Sequence, residues 1–192
     1  MTVTLEQIFT EARTARGYLP GEVSDETLRA LYDLVKFGPT SGNCTPLRIA
    51  FARTAGARER LAACMNPGAN QAKVQAAPVA AVLGMDLGFT AHLPRLFPHT
   101  DSQAWYAGKP EKTADAALRN AHIQAGYFIL AARALGLDAG PMGGFDAAAV
   151  DAAFWPGTSK RSIVVCTLGT GDPARLRPRD PRLSFDEACD LI

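Results

Sequence analysis

The longest periodic segment of the chain, residues 113 to 135, constrains the fold more than any other feature. Its apolar residues recur at the three- and four-residue spacing of a helix buried along one side, namely Leu118, Ala121, Ala125, Phe128, Ile129 and Ala132. Gly136 follows where a helix commonly ends in a left-handed residue. Small residues, among them Ala117 and Gly126, would let another backbone approach closely. We therefore predict a long central helix.

Three short apolar segments predict a sheet. Residues 47 to 53 alternate apolar Leu47, Ile49 and Phe51 with other types, which is typical of a half-buried strand. The continuous apolar run at residues 78 to 85 suits a strand in the middle of a sheet, and residues 162 to 168 predict a third strand. We predict one α+β domain over residues 1 to 192, with a central sheet between helices.

Shorter helices are expected between these elements. Residues 4 to 13 carry an amphipathic pattern, and Ser24 can cap a second helix that continues to about Val35. Residues 56 to 65 predict a third short helix. A further helix, with Asp146 as its cap, follows a glycine-rich loop at residues 140 to 144.

Polar loops separate the core elements. Residues 37 to 46 (FGPTSGNCTP) and 66 to 73 (NPGANQAK) combine glycine and proline with short polar side chains, and the first, taken alone, is typical of a surface turn. Residues 86 to 112 contain several prolines among aromatic residues. For that segment we predict a mobile or partner-facing excursion with some helix.

Composition excludes several classes of protein. The net charge of +1, with 20% charged and 47% hydrophobic residues, offers no basic surface for nucleic acid. The 4 cysteines form no CxxC pair and have no histidine at ligand spacing, so we predict no metal site and reduced thiols. No run reaches the roughly 18 apolar residues of a membrane span. We predict a cytoplasmic protein that binds neither nucleic acid nor membrane.

The polar segments hold a consistent set of ligand-binding groups. They provide cations, hydroxyls, amides and glycine backbone, namely Arg13, Arg16, Lys73 and Arg182; Thr14, Thr40 and Ser41; Asn43 and Asn70; and Gly143 and Gly144. This set suits a ligand with a phosphate, a polyol and a hydrogen-bonding ring, because arginine forks bind phosphate and amides read ring carbonyls. Flavin mononucleotide (FMN) has all three parts. Sequence spacing does not show that the segments meet.

Five long stretches of the sequence resemble those of a known protein family. They are ARTARGY (12 to 18), VSDETLRALYDLVKFGPTSGNCTP (23 to 46), LPRLFPHTDSQAWY (93 to 106), RNAHIQAGYFILAARALGLDAGPMGGFD (119 to 146) and GDPARLRPRDPRLSFDEAC (171 to 189). Together they resemble the nitroreductase superfamily and, more narrowly, the malonic semialdehyde reductases of the pyrimidine-degradation (Rut) pathway. The resemblance implies a mixed or antiparallel sheet flanked by helices. It also implies a homodimer built around the long helix, with two shared FMN sites.

The resemblance also implies roles for individual residues. Arg13, Thr14 and Arg182 would contact the phosphate and ribityl region, and Asn70 and Lys73 the pyrimidine edge. Backbone around Gly143 and Gly144 would approach flavin N5, and the ring would lie against Pro39, Thr40, Ser41 and Asn43, with Asn43 reaching in from the partner in many members. Ala15, Gly143 and Asp180 depart from the broader family pattern. It stays open whether Arg16, Arg177 or Arg179 supplies the missing phosphate contacts.

The implied reaction is ping-pong hydride transfer. NADH or NADPH would reduce the flavin at N5, which would then reduce a small aldehyde, malonic semialdehyde, to 3-hydroxypropionate. Candidate substrate contacts in the variable segment are Arg95, His99, Trp105 and Lys109, although His99 also fits a solvent-facing turn and Trp105 a cover over a core edge. The alternatives are a broad NAD(P)H-dependent nitroreductase or quinone reductase, and a flavin-binding protein without turnover.

Overall fold

A computed structural model of the chain describes residues 2–192, in which four antiparallel strands form one sheet. The strands are β1 (Leu47–Ala52), β2 (Val79–Asp86), β3 (Asp138–Met142) and β4 (Lys160–Gly169), in the spatial order β1-β2-β4-β3. Strands β1 and β3 are therefore the opposite edges of the sheet. The predicted α+β fold, with an antiparallel sheet between helices, is confirmed.

Strand β2 explains why the sequence around it is apolar without interruption. Val79, Ala81 and Leu83 belong to the core on one face of the sheet, whereas Ala80 and Val82 belong to the core on the other face. Successive side chains of a strand point to opposite faces, so a strand covered on both sides must be apolar at every position.

Helices cover both faces. In chain order they are α1 (Asp25–Val35), α2 (Ala55–Ala63), α3 (Ala69–Ala76), α4 (Leu93–Leu96), α5 (Pro110–Ala134), α6 (Ala147–Phe154) and α7 (Phe185–Ala188). Helices α1 and α5 pack on one face, and α2, α3 and α6 on the other. None of these helices is long and apolar enough to cross a membrane.

The predicted caps of two helices are confirmed. The Ser24 hydroxyl accepts the Thr27 amide at 3.1 Å, and the Asp146 carboxylate accepts the Ala149 amide at 3.0 Å. Each bond satisfies one of the amide groups that the first turn of a helix leaves without a partner.

The helix predicted over residues 4 to 13 is wrong in type and length. The structure has only a π-helical segment at Glu6–Thr10, in which Ile8 is half-buried, whereas Leu5 is 72% exposed and Phe9 53%. An amphipathic pattern stabilises a helix only when its apolar stripe is buried against other elements. The contacts with α5, where the Arg133 side chain donates to the Ile8 carbonyl and the Arg133 carbonyl accepts from the Gln7 side chain, bury only part of that stripe.

Two other predictions are corrected on the opposite side of the sheet. The segment 66 to 73 is not a loop throughout, because α3 begins at Ala69, directly after Gly68 with its φ of 103°. Strand β3 was missed because Gly140 and Pro141 are poor strand residues. Proline is tolerated here because β3 is an edge strand. A Cβ on Gly140 would lie 2.5 Å from the Thr167 hydroxyl, so this position has no room for a side chain.

Residues 86 to 112 contain short helical turns that cover the loop before β1. Besides α4 they form turns at Phe89–His92 and Gln103–Trp105. Phe89, Leu93 and Tyr106 are buried in one cluster with Cys44 and Ala117. This segment therefore closes one end of the molecule, next to residues 37 to 46.

Candidate active site

A cationic cleft lies where the C-terminal tail crosses the segment before α1. Its volume is about 610 Å³. Thr14 and six arginines line it, namely Arg13, Arg16, Arg133, Arg177, Arg179 and Arg182. Of the sequence-predicted residues, Arg13, Thr14 and Arg182 thus meet here, with Arg13 and Arg182 being 169 positions apart in sequence.

Backbone contacts hold the two walls of the cleft together. Arg179 donates to the carbonyls of Thr10 and Ala12 at 2.7 and 3.0 Å, and Arg13 donates to the carbonyl of Arg177. The Ala15 amide donates to the Ala139 carbonyl at 3.1 Å, which ties the first wall to the edge strand β3. The cleft is thereby built onto the sheet.

The positive charge of the cleft is not compensated. None of its arginines forms an ion pair within residues 2–192, and Asp180 is the one acidic residue among the described residues that line it. Arg133 Nε is buried without a hydrogen-bond partner, and burial lowers the pKa of that guanidinium. Arg133 also donates to the Ile8 carbonyl at 2.9 Å, but that neutral acceptor does not offset its charge, and a partly buried charge without a counterion is costly. The arrangement therefore suits an anionic group, and phosphate in particular.

Lys73 extends this cationic region onto helix α3. Its side chain is partly buried and forms no hydrogen bond or ion pair with any residue from 2 to 192. Burial lowers the pKa of Lys73, and the positive charge of Arg16 lowers it further. A lysine in this position is available to a negative charge on a ligand.

Asn70 and Gly144 are brought together on the same side of the sheet. A Cβ placed on Gly144 would lie 2.9 Å from the Asn70 amide nitrogen and 3.2 Å from that of Asn66. The Asn66 backbone amide also donates to the Gly144 carbonyl at 3.0 Å. The neighbouring Gly143 is exposed, and no atom lies within 4 Å of the position its Cβ would take. Glycine thus leaves the backbone and the Asn70 amide open to a ligand.

The loop at residues 39 to 45 has a strained backbone. Gly42, Asn43 and Thr45 have φ angles of 55°, 48° and 36°, in the left-handed region that a β-branched residue such as Thr45 rarely adopts. Internal bonds contribute to this shape, because the Thr40 hydroxyl accepts the Thr45 amide at 3.1 Å. The Asn43 side chain donates to the Leu96 carbonyl at 2.8 Å. Pro39, Ser41 and Asn43 are exposed.

Two buried amides of α5 hold this loop, and sequence reasoning did not single them out. The Asn120 side-chain oxygen accepts the Ser41 amide at 2.8 Å, and that of Gln124 accepts the Leu47 amide at 3.1 Å. Arg133 of the same helix was also missed. The sequence did contain a sign of their role, because Asn120 and Gln124 continue the buried stripe of Phe128, and buried polar side chains need hydrogen-bond partners.

The structure places the loop and the cleft on opposite edges of the sheet. The loop leads into β1, whereas the cleft adjoins β3, and the order β1-β2-β4-β3 puts three strand spacings between them. At about 4.8 Å per spacing this is roughly 14 Å across the sheet alone. The predicted set of residues therefore divides into two groups within one chain.

The candidate substrate residues also lie apart. Arg95 lines a groove of about 500 Å³ with His92, Arg48 and Tyr32. His99 and Trp105 both flank Phe97, with ring centroids 5.2 and 5.7 Å from it. Trp105 lies over the loop, since a Cβ on Gly42 would be 3.1 Å from its ring. Lys109 lines a separate cavity with Tyr106 at the start of α5.

Cys44 is a packing residue in this structure. It is fully buried, and burial raises the pKa of its thiol. A nucleophilic cysteine needs a lowered pKa and an accessible thiolate. The sequence interpretation of Cys44 as a small buried residue agrees with this geometry.

Fold and cleft define an α+β protein with an arginine-lined cleft beside an edge strand. Residues 10–171 match the sequence model described as the nitroreductase family. A protein of Leptothrix cholodnii, provisionally named as an NADH dehydrogenase/NAD(P)H nitroreductase, is 54% identical over 192 residues, covering 100% of this chain and 97% of its own length. The chain belongs to the nitroreductase family, and the predicted superfamily is confirmed.

Solved structures share the fold. The Bacillus subtilis nitroreductase ydfN superposes with a TM-score of 0.85 at 23% identity, over 96% of this chain and 97% of its own. A nitroreductase of Exiguobacterium sibiricum, solved in complex with FMN, has a TM-score of 0.88 at 19% identity, over 100% and 99% of the two chains. At these identities the likeness describes the fold.

Proposed function

We propose that this protein is an FMN-dependent NAD(P)H oxidoreductase of the cytoplasm. The observation that carries the proposal is the uncompensated arginine cleft, continued by Lys73 on α3. A phosphate monoester carries about −1.5 to −2 charges at neutral pH and would meet guanidinium groups that form no ion pair within residues 2–192. The FMN complex of the Exiguobacterium relative and the name of the Leptothrix protein support the same cofactors.

The residues present fit FMN in kind and in grouping. Arg13, Thr14 and Arg182 would hold the phosphate end in the cleft, where the buried Arg133 Nε lacks a partner among residues 2–192. Beside them, Asn70 and the open backbone at Gly143 and Gly144 offer the donors and acceptors that a pyrimidine ring requires. Arg16 and Arg177 form no hydrogen bonds through their side chains to the described residues and are available to the same phosphate.

When bound, FMN supplies a ring nitrogen that accepts a hydride from NAD(P)H and passes it to a second substrate. The chain itself contributes binding and electrostatics. Lys73 places a positive charge that stabilises negative charge developing on the ring, and it does so in a partly buried setting where screening is weak. Pro39, Thr40, Ser41 and Asn43 form a polar strip that covers the ring and excludes water from one side.

We infer that two chains complete each site. The loop at 39 to 45 and the arginine cleft lie on opposite sheet edges of one chain, and a second copy would bring the loop of one chain to the cleft of the other. An apolar face suited to a second copy is exposed on α1 and α5, and it includes Leu34, Leu118, Ile123 and Tyr127. A homodimer through this face, with Asn43 donated from the partner, accounts for both observations.

For the second substrate we propose malonic semialdehyde, reduced to 3-hydroxypropionate in pyrimidine degradation. Its carboxylate needs a cation, and Arg95 and Lys109 are exposed cations on the segment that adjoins the loop. His99 and Trp105, on either side of Phe97, would wall the pocket. The same aromatic surface favours a second candidate, a flat nitroaromatic or quinone acceptor, which stacks on such rings.

Anaerobic stopped-flow spectroscopy tests the proposal. The purified protein should bind FMN, lose flavin absorbance on mixing with NADPH or NADH, and regain it on mixing with an acceptor. Faster reoxidation by malonic semialdehyde than by a nitroaromatic or quinone at equal concentration supports the aldehyde. The reverse order supports the second candidate. A protein that binds no FMN contradicts the proposed function, and one that binds FMN without being reduced contradicts the enzymatic role.

A further inference from the structure

The loop at residues 39 to 45 needs support from outside itself. Gly42, Asn43 and Thr45 all have left-handed φ angles, and each such residue other than glycine costs on the order of 1–3 kcal/mol. A backbone of this kind persists only where neighbouring contacts over-determine it. Inside the loop, the hydrogen bond from the Thr45 amide to the Thr40 hydroxyl is one such contact. The two ends of the segment need contacts from other elements.

Outside contacts also come from the Leu96 carbonyl, which accepts from Asn43, and from Arg48, which donates to the Thr45 carbonyl, while helix α5 supplies one contact near each end of the segment through side-chain amides. Asn120 is 6% exposed and Gln124 3%, and their spacing of four residues puts them on one face of the helix. Asn120 accepts the amide of Ser41 at the start of the segment, and Gln124 accepts the amide of Leu47 at its end. The Asn120 nitrogen donates to the Ala116 carbonyl at 2.8 Å, so its oxygen necessarily faces the loop.

We propose that Asn120 and Gln124 are positioning residues that hold the loop in its flavin-accepting shape before the cofactor arrives. This inference rests on the proposed function. A loop that already has the binding shape binds FMN with higher affinity. When only a fraction of the molecules has that shape, the apparent dissociation constant equals the intrinsic one divided by that fraction. Neither residue touches the cofactor in this proposal, so their effect is on binding and not on the hydride step.

The test compares Asn120→Ala and Gln124→Ala with Phe128→Leu. Phe128 is the next residue on the same stripe, is fully buried, and forms no hydrogen bond to the loop, so its substitution weakens the core between α5 and the sheet, including its stacking on Phe51 of β1, without removing an amide contact. For each amide variant we expect the Kd for FMN to rise about three- to tenfold, the effect of losing one hydrogen bond. At saturating FMN, kcat should return to the wild-type value.

Hydrogen exchange of the cofactor-free protein distinguishes a local loss of loop support from a general loss of stability. Peptides covering residues 40 to 47 should exchange several-fold faster in Asn120→Ala and Gln124→Ala, while peptides covering β2 stay unchanged. In Phe128→Leu, any faster hydrogen exchange should appear in the peptides of both β2 and the loop. Added FMN should restore the protection of the loop in both amide variants.

The outcomes separate this inference from the proposed function. If the wild-type protein binds FMN but neither amide variant changes the Kd beyond the change seen in Phe128→Leu, the inference is wrong and the proposed function stands. A lower kcat at saturating FMN in the amide variants would also overturn it. If the wild-type protein binds no FMN, both proposals fail together.

Discussion

Replacing Lys73 by methionine should lower the reduction potential of the bound flavin. Lys73 has no partner within residues 2–192, and its charge is available to a ring that gains negative charge on reduction. A hydrogen bond to a charged group contributes about 1.5–3 kcal/mol, and partial exposure favours the lower part of that range. At about 1.5–2 kcal/mol, the two-electron potential should fall by roughly 30–45 mV.

The same loss of charge should slow reduction by NAD(P)H about 10- to 30-fold. Potentials can be measured by anaerobic titration against a reference dye, and rates by stopped flow. Lys160→Met is the matched control, because Lys160 is a half-buried lysine like Lys73 and lies at the start of β4, in neither group of candidate site residues. A potential for Lys73→Met within about 10 mV of the wild-type value would refute the reasoning.

Three further predictions follow from contacts in the structure. Tyr127→Asp puts a charge on the exposed face of α5, so sedimentation should show monomers with weakened FMN binding, and an intact dimer would contradict the proposed interface. Tyr18→Phe removes the 2.7 Å bond to the Thr167 hydroxyl, which should cost about 1 kcal/mol and lower the melting temperature by roughly 2–4 °C; an unchanged melting curve would show that this bond contributes nothing. Burial raises the pKa of Asp86, but hydrogen bonds from Ser159 and Gly88 and the charge of Arg48 outweigh burial, so the pKa lies below its usual 3.8. The Asp86 carboxylate therefore stabilises the fold above pH 3.8, and this contribution is lost as the pH falls through the lowered pKa. Asp86→Asn should therefore flatten the acid limb of the stability profile, and an identical limb would exclude this role.

The sequence predicted best the elements whose pattern is local and strong. Helix α5 and strand β2 form where their periodicity indicates, although Leu118 of the predicted buried stripe is 41% exposed, and the caps predicted at Ser24 and Asp146 are observed. Strand β3 could not be predicted in the same way. A side chain at position 140 would clash with Thr167 on the neighbouring strand, so glycine is needed there. The local sequence pattern does not indicate this contact.

The grouping of the site residues depended on contacts that are distant in sequence. Nothing near Arg13 or Arg182 indicates that the tail crosses the first segment, because that crossing depends on Arg179 and two backbone carbonyls. Asn120 and Gln124 were readable as polar positions on an apolar stripe, but their partners at Ser41 and Leu47 were not. The inventory of ligand-binding types was accessible from sequence, whereas the division into two groups was not.

Helix α5 has two functions that meet at the proposed cofactor site. Its inner face holds the strained loop through Asn120 and Gln124, and its outer face exposes Ile123 and Tyr127, which the proposed dimer would cover. Because consecutive turns of one helix carry both sets of residues, a shift of α5 at that proposed interface would displace the loop as well. The loop lies across the sheet from its own cleft, so in the proposed dimer it would cover the ring bound to the partner. Assembly and cofactor affinity therefore depend on the same helix, and selection for one constrains the residues available to the other.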